Sequence, residues 1–172
     1  MTTAANKQLV QQVFADSASR SGSTFADSLA DDASWTVTGQ YSWSHQFKGR
    51  EAILNGLMGH FRSLFAERPR TLAYNFIADG DFVAVEARGD NVTKAGLRYD
   101  NQYCLVFRIE NGKIKEIREY CDSTLVERVL DEVTARPAAA RAIALKDKFT
   151  FKTEMDDEAR HIMFGHLKTK AA

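Results

Sequence analysis

The chain is poor in cysteine and carries no excess of either charge, and each shortage closes off a class of protein. Two cysteines in 172 residues, Cys104 and Cys121, lack CxxC spacing. They supply neither a zinc-site pattern nor a disulfide framework. Free thiols are expected, and with them a cytoplasmic protein. Lys+Arg and Asp+Glu are both 23, so the formal net charge is zero. Bulk electrostatics therefore favours neither nucleic acid nor an anionic membrane. No apolar run approaches the ~18 residues of a membrane span. The opening MTTAANKQ lacks the apolar stretch of a signal peptide. There is no internal repeat and no low-complexity linker.

What is present is a strong hairpin. Leu97 to Asp122 reads as two long strands joined at Asn111-Gly112, a favoured two-residue turn between alternating runs. Alternation puts Asn101, Tyr103, Leu105 and Phe107 on one face, and Asp100, Gln102, Cys104, Val106 and Arg108 on the other. The first set starts in a core and ends in hydrogen-bonding side chains, as in the wall of a cavity. A regular turn would pair Phe107 with Glu116 and Leu105 with Arg118, burying charges without partners. One extra residue near Lys115-Glu116, a β-bulge, moves Ile114, Ile117, Glu119 and Cys121 to the inner face. Glu119 is then expected opposite Tyr103 and Asn101. The alternative is a rim carboxylate in water.

Upstream, Asn6 to Arg20 reads as an amphipathic helix with Leu9, Val10, Val13 and Phe14 as its stripe. Phe25 and Leu29 mark a short second helix ending at Asp31-Asp32. Ser34 to Thr38 is a short strand with Trp35 and Val37 on one face. Gly39 to Lys48 is an aromatic-rich loop or short hairpin. Gly49 to about Phe65 is a long helix whose wide apolar face makes it the main packing partner of a sheet. A second hairpin turns at Asp79-Gly80, pairing Phe76 with Val83 and Tyr74 with Val85 on the inner face. Its outer face, with Ile77, Phe82 and Ala84, joins Cys104 and Val106 in a patch suited to a homodimer. Asp122 or Ser123 caps a following helix through Leu125, Val126, Val129 and Leu130. Pro137, an Ala-rich helical stretch over 138–148 and a helix over 154–167 complete the tail. Asp157 and His161 share a helical face there, but read as a solvated pair rather than a metal site. No metal and no cofactor is expected.

This order resembles the nuclear transport factor 2-like superfamily and, within it, the SnoaL-like and ketosteroid-isomerase-related branch. The matching stretches are Phe25 to Val37 (FADSLADDASWTV), Phe47 to Ile53 (FKGREAI), Ile77 to Val85 (IADGDFVAV) and Tyr99 to Asp122 (YDNQYCLVFRIENGKIKEIREYCD). The resemblance implies an α+β, cone-shaped fold: a strongly curved, mainly antiparallel sheet wrapped on a long helix. The fold would span residues 1–134, with a helical extension over 135–172.

The resemblance is less specific about chemistry, because this fold hosts isomerases, cyclases, hydrolases and pure binding domains. Ketosteroid isomerases carry their base on the first strand, where this chain has Val37; their oxyanion acid falls near Tyr103. Limonene-epoxide-hydrolase-like enzymes use an Arg-x-Asp and a later acid, matched in type by Arg88, Asp90 and Glu119. In SnoaL-like cyclases an acid near the end of the last strand is the base, which Glu119 or Asp122 can supply. Three functions follow as expectations. In the first, Glu119, its pKa raised by apolar surroundings, acts as acid/base on a small apolar molecule. Tyr103 and Asn101 donate to a substrate oxygen, and Trp35, Val37, Trp43, Tyr74, Tyr120 and Cys121 shape the walls or mouth. The second is a binding or dimerising module without turnover. The third is epoxide hydration by Arg88, Asp90 and Glu119.

Overall fold

The computed structural model describes residues 2–20 and 24–130. The chain divides into two compact units, Met1–Glu132 and Val133–Ala172. All described residues lie in the first, so the helices expected over 138–148 and 154–167 and the expected Asp157–His161 pair lie outside them.

The fold opens on α1 (Thr3–Ala18), where Thr2 Oγ1 accepts from the Ala5 amide and caps the helix. Its stripe of Val10, Val13 and Phe14 is buried as the spacing demands. A short helix α2 (Thr24–Ser28) follows, and then β1 (Leu29–Val37). Here the structure corrects the sequence reading. Leu29 to Asp32 is strand, not helix, through an irregular stretch where β1 shifts register against the last strand. Asp32 is held there by an ion pair with Lys115.

After a turn, β2 (His45–Lys48) pairs antiparallel with β1, so the aromatic segment closes as a short hairpin. The long helix α3 is built of a π-helical stretch, Ala52–Met58, and an α-helical turn, Gly59–Ser63. Wide turns of this kind concentrate near functional sites. The strands β3 (Thr71–Asp79), β4 (Phe82–Gly89), β5 (Asn91–Val92), β6 (Arg98–Tyr99), β7 (Gln102–Glu110) and β8 (Lys113–Cys121) lead to α4 (Ser123–Leu130).

Six strands form an open sheet in the order β2-β1-β8-β7-β4-β3, and β5 and β6 form a separate ribbon. The sheet is antiparallel except where β1 runs parallel to β8. This is the α+β, curved-sheet architecture the resemblance implied. The role of main packing partner is shared, since α1 lies along β3 and β4 while α3 lies along β2. Between α1 and the sheet, Phe14 meets Phe76 and Phe107 edge-on at 5.8 and 6.0 Å.

The bulge on β8 forms where the hydrophobic spacing requires it. Ile109 pairs with Ile114, but Arg108 pairs with Glu116, leaving Lys115 as the extra residue. Asn111 and Gly112 both have positive φ, 51° and 74°, the geometry of a type I′ turn. Beyond the bulge Glu119 pairs with Leu105, and Cys121, not Glu119, lies opposite Tyr103. On the other hairpin the turn is one residue later than expected, with Asp79 pairing Phe82 and Phe76 pairing Val85. A second bulge then sits at Tyr74. It rotates that side chain to the outside, where it is 62% exposed, so Tyr74 is not a cavity wall.

Candidate functional site

The inner face of the sheet, α1, α3 and α4 enclose a cavity of about 210 Å³. Its walls are mostly apolar: Val37, Leu54, Leu57, Met58, Leu105 and Phe107 among them. Set into them are the Glu119 carboxyl group and three phenols, Tyr41, Tyr99 and Tyr103, while Asp16, Arg62 and Arg68 also contribute to the lining.

Glu119 is aimed by its backbone and its neighbour. Its carbonyl accepts from the Thr38 amide at 3.0 Å and the Thr38 hydroxyl at 2.6 Å, pinning β8 to the end of β1. Its Oε2 accepts the indole N–H of Trp35 at 2.9 Å. Burial against apolar walls penalises the charged form and pushes its pKa up to about 7; donation from Trp35 and Cys121 only partly offsets this. At neutral pH the carboxyl is therefore divided between acid and base forms, the condition general acid–base chemistry favours.

The phenols form a connected set. The Tyr103 hydroxyl donates to the Tyr99 oxygen at 3.3 Å, and Asn101 Nδ2 donates to the same oxygen at 3.0 Å. Two incoming donors occupy the lone pairs of that oxygen, which leaves the Tyr99 proton for a third partner in the cavity. Desolvation holds the Tyr99 and Tyr103 pKa values above the usual phenol range, so both remain donors. Tyr41 stands within 3.2 Å of the Cys121 sulfur, and the Cys121 thiol is pushed up to about 11 by burial. Around Tyr99 pack Phe61 and Phe65, with ring centroids at 5.9 and 5.8 Å.

The sequence-expected residues separate into two groups. Glu119, Tyr103, Trp35, Val37 and Trp43 line the cavity together. Asn101 stands behind it, fully buried, holding Tyr99 and exchanging hydrogen bonds with the Asp122 backbone at 3.0 and 3.1 Å. Asn101 thus braces a donor instead of meeting a substrate oxygen. Cys121 is likewise behind the wall, against Tyr41. Asp122 caps α4, accepting from the Leu125 amide at 3.2 Å, and does not line the cavity. Tyr120 points outward, 46% exposed, because it alternates with Glu119 along β8. The epoxide-hydrolase triad does not assemble. Arg88 is exposed on the outer face, and Asp90 is tied to Arg70 and Arg98. No bulge at Gly89 turns that strand over, since Thr71 still pairs with Gly89 in register.

Tyr99 is the site residue that sequence reasoning passed over. The signal was present: it precedes Asn101 and Tyr103 in steps of two, the period of one strand face. Among the described residues no group of three or more His, Cys, Asp or Glu side chains is placed to hold a metal ion, and no helix is long and apolar enough to cross a membrane.

A curved open sheet closing on helices around a cavity with one raised-pKa acid defines a class of conical α+β domains. The sequence pattern of the SnoaL-like domain matches residues 10–117, and the chain belongs to that family. Solved structures agree. A protein of Jannaschia named for SnoaL-like polyketide cyclases is 17% identical, with 75% of this chain and 93% of that one aligned at a TM-score of 0.62. A nuclear transport factor 2-like protein of Burkholderia thailandensis is 18% identical, covering 76% and 98%, with a TM-score of 0.65. TerC, co-crystallised with polyporic acid, is 17% identical, covering 73% and 97%, with a TM-score of 0.62. At these identities the likeness is one of fold. No curated protein matches the sequence.

Proposed function

We propose that the cavity binds a small, largely apolar molecule and that Glu119 serves as the acid/base of an isomerase, cyclase or hydrolase reaction run by side chains alone. The observation that carries this reading is the Glu119 carboxyl, poised near pH 7 on an apolar wall and oriented by Trp35. In its ionised form it takes a proton from a carbon acid or an attacking hydroxyl, then returns it in the protonated form. Tyr99, with Tyr103 behind it, donates to the oxygen on which charge develops. At about 210 Å³ the cavity is smaller than the ~300–1,000 Å³ sites of drug-sized ligands, which favours one or two fused rings. TerC, of the same fold, was co-crystallised with polyporic acid, which supports a small organic ligand. The two free thiols suit a reducing compartment such as the cytoplasm.

The test exploits composition. The chain has only two tryptophans, and both Trp35 and Trp43 line the cavity, so intrinsic fluorescence reports its occupancy. Ligands found this way are then assayed for conversion. Glu119→Gln is expected to lower turnover by about 10²–10⁴-fold while ligand affinity stays within a few-fold. Turnover retained in that variant would remove Glu119 from the chemistry.

A second reading, a ligand-binding module that dimerises without turnover, draws on Val37 at the place where isomerase relatives carry a base. It also draws on the exposed outer face with Ile77 and Phe82. In this case Glu119→Leu keeps ligand binding and raises stability, since it removes a costly buried acid.

A further inference from the structure

The interior of the cavity carries an acid with no cation to match it. Glu119 meets neutral donors: the Trp35 indole N–H at 2.9 Å and the Cys121 thiol. It forms no ion pair among the described residues. The titratable groups around it are Tyr41 in the turn before β2, Tyr99 on β6, Tyr103 on β7 and Cys121 on β8. Burial raises the pKa of each, so all four stay protonated and uncharged at neutral pH. From α1, α3 and the segment before β3 the lining adds Asp16, Arg62 and Arg68, and from α4 only Val126 and Leu130. The two arginines are exposed, where water and salt screen their charge.

The rest of the wall suits a cation. Phe25, Trp35, Trp43 and Phe107 line the cavity together with the three tyrosines, and aromatic rings attract cations through their electron-rich faces. Burying an ammonium is costly unless a counter-ion meets it. Here the counter-ion is already desolvated by folding, so binding adds only the desolvation of the ligand. An anion would instead lie beside Glu119, and a neutral molecule would gain nothing from its charge.

Resting on the reading of the cavity as a ligand site, we infer that its ligand is a small aromatic amine, bound as the ammonium with Glu119 as counter-ion and with its ring among the aromatic walls. Pairing with a cation lowers the Glu119 pKa from its free value of about 7. Binding therefore expels the proton that about half of the free carboxyls carry at pH 7. It leaves Glu119 in the base form from which the proposed reaction starts.

Three probes of one shape separate the possibilities: 2-naphthylmethylammonium, 2-naphthylmethanol and 2-naphthoate, titrated by calorimetry and by melting temperature. At pH 8 the wild-type protein is expected to bind the ammonium about tenfold more tightly than the alcohol, with the carboxylate weakest. Between pH 6 and pH 8 the ammonium affinity should rise about tenfold as Glu119 ionises, while the alcohol affinity changes little. Glu119→Gln should lose both the preference and its pH dependence and keep the alcohol affinity within a few-fold. Asp16→Asn should keep both. An alcohol bound as tightly as the ammonium at pH 8, or a preference that survives in Glu119→Gln, overturns the inference and leaves the ligand-site reading standing. A preference lost in Asp16→Asn but kept in Glu119→Gln places the cation at Asp16 and likewise overturns it. Absence of any response to all three probes overturns both.

Discussion

Glu119 ties the acid-base chemistry of the cavity to the stability of the fold. Its folded pKa, about 7, lies above the ordinary 4.5. The protonated form is favoured by folding, so its stabilising contribution is complete below pH 4.5 and is lost as pH rises through 7. The full swing is on the order of 3 kcal/mol. Melting temperature should therefore fall between pH 5 and pH 8, and Glu119→Gln should flatten that slope. Asp90 behaves oppositely: hydrogen bonds from Arg70 and Arg98 hold it below its usual 3.8, so its contribution fades only in stronger acid, outside this window. At this scale the sequence was partly legible. Glu119 could be turned inward because two charged neighbours, Glu116 and Arg118, had to turn outward. Tyr120, Asn101 and Cys121 could not be placed as well, because which polar side chain meets the cavity and which stands behind it depends on helices packed over the sheet.

The β8 bulge is the element on which the site depends. Lys115 adds one residue between Ile114 and Glu116, and every side chain after it changes face. Inserting one residue between Lys115 and Glu116 should turn Glu119 outward and force Arg118 and Glu116 toward the core, at a cost above about 3 kcal/mol for unpaired buried charge. Circular dichroism melting should show a protein largely unfolded at ambient temperature. This bulge was legible because Ile114 and Ile117 are three apart, which a flat strand cannot place on one face. The bulge at Tyr74 was not, because Leu72, Tyr74 and Phe76 alternate without a fault. The start of β1 was hidden as well. Its Asp31-Asp32 looks like a helix end until Lys115, the bulged residue of the partner strand, supplies the charge for Asp32.

On the scale of the whole molecule, the outer sheet face carries exposed apolar side chains among polar ones. Ile77 is 61% and Phe82 41% exposed, with the Arg118 guanidinium 5.8 Å from the Phe82 ring. If this face joins two copies, light scattering should return twice the 19.3 kDa chain mass, and Ile77→Glu/Phe82→Glu should return a single chain with its melting curve little changed at low concentration. A persistent dimer in that variant would place the interface elsewhere. The general architecture was legible from the order of elements, but not the neighbour of β1, since no local pattern tells a strand which distant edge it will join. That pairing has its own consequence. Trp35 meets Ile117 and Val37 meets Glu119 across more than half the described chain, in the one parallel ladder of the sheet. Contacts of such long sequence separation are slow to form. The cavity is therefore a late product of folding, and during synthesis it has no walls until β8 has left the ribosome.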